Sequence, residues 1–104
     1  MLLPDVTRFS LAAAEPRYAE VARKLEIVPS NSIDSEAANA LVLWLEDLNR
    51  TCGIPKMHVL IPDRETYESK LNAMAQAAIE SGSPANNPRI PSREQIIDIY
   101  QSIW

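Results

Sequence analysis

The run SEAANALVLWLEDLNRTCG, residues 35–53, decides the fold class. Its apolar members Ala37, Leu41, Trp44, Leu45, Leu48 and Cys52 fall three and four residues apart, the spacing of one helical face. Val42 and Leu43 widen that surface beyond one stripe, which predicts a central helix with Trp44, Leu48 and Cys52 all turned inward. Upstream, Ser32 or Asp34 is placed to accept the free amides of the first turn, where Asp34 and Glu36 also suit the positive end of the helix dipole. Downstream, Gly53 supplies the left-handed residue that closes a helix, and Pro55 prevents its resumption.

Working outward, three more segments carry helical spacing. In DRETYESKLNAMAQAAIESG (63–82), Tyr67, Leu71, Met74, Ala75 and Ala78 form the apolar face, Asp63 is an N-cap and Gly82 a stop. In SREQIIDIYQSIW (92–104), Ser92 and Gln95 stand in the capping-box relation, ahead of Ile96, Ile97, Tyr100, Ile103 and Trp104. A shorter helix is predicted from Glu15 to Leu25, with Pro16 in its first turn and Tyr18, Val21, Ala22 and Leu25 facing inward. MHVLI (57–61) has the composition of a strand, but an isolated strand has nothing to pair with. SGSPANNPRIPS (81–92) is dense in turn formers yet short, so it reads as a structured connection. The expectation is an all-α domain over residues 1–104, a small bundle of about four main helices.

Composition narrows the function classes. With 46% hydrophobic and 23% charged residues the chain is globular in kind, and at 104 residues it is one small domain. A net charge of −4, with ten scattered Lys and Arg, gives no basic stripe, so nucleic acid is not an expected partner. No apolar run approaches membrane-spanning length, and no basic lead opens a signal peptide. A single cysteine, Cys52, fits a reducing compartment, and the expected location is the cytoplasm. The only two glycines, Gly53 and Gly82, sit at helix ends, so no glycine-rich loop is present to cradle a dinucleotide phosphate.

Candidate chemistry is sparse. His58 is the only histidine; alone in a proline-bounded stretch it reads as an exposed side chain rather than a ligand or base. Cys52, on the apolar stripe, reads as a buried structural thiol. Glu46, Asp47, Asn49 and Arg50 read as a solvated face. Trp104 is expected to pack within its own bundle, and Arg89 to bridge helix carbonyls rather than grip a ligand. No catalytic, cofactor-binding or metal-ligating residue is assigned.

Several segments, in order, resemble the C-terminal portion of the iron-containing alcohol dehydrogenases, within the dehydroquinate synthase-like fold. LLPDVTRF (2–9) is similar to that family's LLP-x-V-x-R(F/Y)N stretch, and YAEVARKLEI (18–27) to its next short helix. EAANALVLWLEDLNRTCGIPK (36–56) resembles the long helix that ends in LN-x-x-x-GIP, and NNPRIPSREQIIDIYQSIW (86–104) the ending built on NPR. The resemblance implies that LLP lies within the course of a helix and that the metal ligands and the nucleotide-binding half lie upstream of Met1. Iron or zinc and NAD(P) are then cofactors of the intact enzyme, with none held by this chain. Ser83, Asn86, Asn87, Pro88 and Arg89 are implied to form a loop bordering the catalytic cleft. The exposed face of Leu2, Leu3, Val6 and Phe9 is expected to meet the missing part or a second copy. The alternative is a stand-alone helical module that binds a partner protein.

Overall fold

The computed structural model describes all of residues 1–104. The chain is entirely helical: α1 (Leu3–Lys24), α2 (Asp34–Thr51), α3 (Met57–Leu60), α4 (Arg64–Glu80), a 3-10 turn (Ser83–Asn86) and α5 (Arg93–Ser102). MHVLI is thus a single helical turn, α3, rather than a strand, in keeping with its having no neighbour to pair with.

α1 is longer than periodicity alone predicts. It begins at Leu3 and breaks direction at Ala14, whose φ of −146° and ψ of 25° are non-helical. Pro16 explains the break: it has no amide to donate, and its ring crowds the carbonyl four residues earlier. The expected start at Glu15 is where the second limb begins, with Pro16 in that limb's first turn. The resemblance implies that LLP lies within the course of a helix; here α1 starts at Leu3 with Leu2 as its N-cap, so LLP opens the first limb.

Two antiparallel hairpins result. In the first, the second limb of α1 lies on α2 through a seam of small residues: Ala19, Ala22, Ala37, Ala38 and Leu41 are all buried and in one cluster. Alanines at facing positions let two backbones approach closely, and Leu11, Tyr18, Ile27, Val28 and Leu45 pack around the seam. Arg23 ties its open end, donating through Nε (3.2 Å) and Nη2 (2.5 Å) to the Ser32 carbonyl and through Nη2 to Asp34 at 2.6 Å. That contact corrects the predicted cap: the N-cap of α2 is Ile33, with no side-chain bond, while Asp34 is engaged by Arg23. Near the other end, Arg8 pairs with Glu46.

In the second hairpin α4 packs on α5. Asp63 caps α4 by accepting from the Thr66 amide, and Ser92 with Gln95 forms the complete capping box of α5. Tyr67, Leu71 and Ala75 are buried on α4, and Ile96 on α5. The Tyr67 hydroxyl donates to the Tyr100 carbonyl at 2.6 Å, one of the last-turn carbonyls that a helix leaves free.

Several sequence expectations about burial are overturned. Trp44 and Leu48 are each 39% exposed and Leu43 is 63% exposed, so the second half of α2 has an open apolar face. Cys52 is exposed, not a buried thiol. Val21 and Leu25 also face outward, and Ala19 takes the inward place instead. Of the opening residues only Leu3 is largely exposed; Leu2, Val6 and Phe9 are half-buried against the second hairpin. The body measures 46 × 29 × 17 Å.

Candidate functional site

The site is assembled from three elements that meet at the turn after α4. Gly82 lies in the left-handed region at φ +74°, where only glycine is unstrained, and it turns the chain out of α4 into the 3-10 segment. Pro84 then fixes the first turn of that segment, and the Asn87 amide closes it on the Pro84 carbonyl at 3.2 Å.

Beyond the turn, two side chains anchor the loop to the first limb of α1. The Asn87 amide donates to Ser10 Oγ at 2.7 Å and to the Arg89 carbonyl at 2.6 Å. Ser10 is fully buried, and its own hydroxyl donates to the Val6 carbonyl at 2.7 Å. Arg89 donates to the Phe9 carbonyl at 3.2 Å and lays its guanidinium over the Phe9 ring, 4.1 Å from its centre. A cation on the face of an aromatic ring is attracted by the ring's quadrupole, so Arg89 holds both the backbone and the side chain of Phe9. Arg89 does bridge to a helix carbonyl, as expected, although that carbonyl lies within α1 and not at a helix end.

Under this anchored loop is a cavity of about 380 Å³. Leu2, Val6 and Phe9 form one wall, Ala78 another, and Ile99 and Tyr100 the third. Ser81, Ser83, Asn87 and the Tyr100 phenol supply the polar side-chain groups among its lining residues. Of the loop residues singled out from sequence, Ser83 and Asn87 line the cavity, whereas Asn86, Pro88 and Arg89 do not. Arg89 acts on it through Phe9 and through its carbonyl, which accepts from Asn87. The apolar wall residues carry no motif, yet a signal was present: positions 2, 6 and 9 recur at helical spacing.

The remaining polar groups lie elsewhere. His58 is exposed and its Nδ1 lies 2.5 Å from the Trp104 carbonyl oxygen. Trp104 packs in its own chain: its indole donates to the Ile61 carbonyl at 3.2 Å, and the Arg64 guanidinium sits 5.1 Å from its ring centre. Asp5 pairs with Arg8 at 3.1 Å and accepts from Ser102 at 3.2 Å. Asp47 pairs with Arg50. No three His, Cys, Asp or Glu side chains converge as metal ligands would. The donor atoms of residues 1–104 therefore do not fit an iron site by themselves. No helix is long and apolar enough to cross a membrane.

Residues 1–104 match, over their whole length, the family described as Fe-containing alcohol dehydrogenase family, C-terminal. The chain belongs to that family. It is 31% identical over 104 residues to the lactaldehyde reductase of Escherichia coli strain K12, covering 100% of this chain and 26% of that protein. A 1-propanol dehydrogenase of Salmonella typhimurium is 30% identical over 106 residues, covering 99% of this chain and 29% of that protein. The chain thus spans about a quarter of the length of the curated relatives it matches. The solved structure of a 1,3-propanediol oxidoreductase shares the fold, with a TM-score of 0.85 over 99% of this chain and 26% of that one, at 24% identity. The iron-dehydrogenase helical lobe is therefore the architecture of these 104 residues. The alternative of a partner-binding module gains no support from the comparisons.

Proposed function

We propose that residues 1–104 serve as the C-terminal helical lobe of a nicotinamide-linked oxidoreductase that interconverts a small alcohol with its aldehyde or ketone. The observation that carries this reading is the family match across the whole chain, joined to a superposable helical lobe. Relatives described as acting on lactaldehyde and 1-propanol support a short-chain substrate class. In this reading the lobe contributes an ordered wall: the Ser83–Asn86 turn and the cavity beneath it, fixed to α1 by Asn87 and Arg89. In this reading the metal donors come from the rest of the enzyme, since residues 1–104 bring no three His, Cys, Asp or Glu side chains together.

The same reading supplies an occupant for the open apolar faces. Leu3 on α1 and Leu43, Trp44 and Leu48 on α2 are proposed to pack against the rest of the enzyme. Burying a large side chain of this kind is worth about 1.5–3 kcal/mol.

The test is nicotinamide reduction at 340 nm by the full-length gene product, supplied with ferrous or zinc ion and 1-propanol. Turnover is expected for that protein, and none for the 104-residue chain alone. A full-length product inert toward every short alcohol and aldehyde, with either nicotinamide cofactor, would overturn the reading.

A further inference from the structure

Residues 83–91 make no backbone hydrogen bond to α1. The backbone bonds of the turn, from the Ala85 amide to the Gly82 carbonyl and from the Asn87 amide to the Pro84 carbonyl, close it on itself. Its register against α1 rests on two side-chain bonds, Asn87 to Ser10 and Arg89 to the Phe9 carbonyl. The two differ in kind. The Arg89 bond is the longer, at 3.2 Å, and its companion contact is a ring face, which attracts a cation from a range of positions within about 6 Å. That pair tolerates sliding. The Asn87 bond is 2.7 Å and ends on Ser10, which has no exposed surface and passes its own hydrogen to the Val6 carbonyl. The second amide hydrogen of Asn87 goes to the Arg89 carbonyl, so both donors are used and the side chain has one orientation.

We propose that Ser10 and Asn87 are positioning residues: their bond sets where the Ser83–Asn86 turn stands against α1, and the catalytic constant of the enzyme depends on that placement. The inference rests on the dehydrogenase reading, in which this turn belongs to an ordered wall, and deepens it by naming the pair that keeps the wall in register. Ser10, fully buried, acts only through Asn87. A displacement of about 1 Å away from the chemistry can lower a rate by about a hundredfold although no reacting group changes. A loosened turn still encloses a small alcohol but holds it in reacting geometry for a smaller share of the time. The loss therefore falls on kcat more than on KM.

The experiment measures kcat and KM for 1-propanol oxidation by the full-length gene product, supplied with ferrous or zinc ion. The proteins compared are the wild type, Ser10→Ala, Asn87→Ala, the double variant and Tyr67→Phe. Tyr67→Phe controls for lost stability, because it removes a buried hydrogen bond that joins α4 to α5 and does not reach α1; its kcat should match the wild type. Ser10→Ala and Asn87→Ala should each lower kcat by at least about tenfold while KM stays within about twofold. The double variant should fall no further than the worse single one, as expected of two partners in one bond. A wild-type kcat in Ser10→Ala, an equal loss in Tyr67→Phe, or losses that multiply in the double variant overturns the proposal. Ser10→Ala removes a single oxygen and decides the matter where Asn87→Ala fails to fold. No turnover by the wild type with any short alcohol overturns the dehydrogenase reading instead, and the register is then read by amide exchange in the same full-length protein. Exchange faster by about tenfold at Ala85 and Asn87 in Ser10→Ala, with α4 unchanged, upholds it. Equal exchange in the two proteins overturns it.

Discussion

Tyr67 is the largest fully buried side chain, and its hydroxyl is the donor for a carbonyl that α5 itself cannot satisfy. Tyr67→Phe keeps the ring and removes that donor, so a loss of about 1–2 kcal/mol is expected, read as a lower urea midpoint at unchanged slope. Burial, with Tyr100 nearby, pushes the Tyr67 phenol above its ordinary value. The folded chain then holds that proton more tightly than the unfolded one. Stability should therefore fall as pH climbs above about 10, and Tyr67→Phe should remove this component. Asp63 works in the opposite direction. The hydroxyl and amide of Thr66 hold its carboxyl below the ordinary aspartate value. The unfolded chain takes up the proton first, so the cap's contribution is complete above the ordinary value of 3.8 and is lost as pH falls below it. Asp63→Asn keeps an acceptor at the cap without the titration, and its unfolding midpoint should vary less between pH 5 and pH 3.

Most helix ends were legible from local signals, the start of α2 excepted, where no side chain caps the helix and Arg23 from α1 engages Asp34. Asp63, the Ser92–Gln95 pair, Gly53 and Gly82 mark ends by bonds made within a few residues, and all four act as the sequence implied. Gly82→Ala tests one of them. A Cβ there meets open space, so the cost is that of the left-handed backbone alone, about 1 kcal/mol, read by thermal or urea unfolding. What failed was the step from an apolar face to a buried one. Periodicity shows which side of α2 is apolar, but not whether anything lies there, and opposite Trp44 and Leu48 nothing in this chain fully covers them. The seam that is covered runs through Ala37, Ala38 and Leu41, and Leu41→Ala there should cost about 2–5 kcal/mol. For the candidate site, the turn-forming loop was visible in the sequence. The cavity was not, because its walls come from positions more than seventy residues apart.

At the scale of the whole molecule, the hairpins share few contacts, and several of those depend on single side chains. Asn87 and Arg89 reach across to Ser10 and Phe9, and Ser102 reaches Asp5. With Leu3, Leu43, Trp44 and Leu48 open, the 104-residue chain in isolation should self-associate in sedimentation equilibrium. Replacing Leu43 and Trp44 with lysine should shift it toward monomer.

The thinness of the body carries one more consequence. A thickness of 17 Å is that of two helix layers, so every helix keeps one side toward water. In deuterated buffer, the last protons to be replaced should belong to Ala19, Ala22, Ala37 and Ala38, where backbone is pressed on backbone. Their rate of replacement would report opening of the entire chain, while the remaining helices gave up theirs through smaller, separate fluctuations.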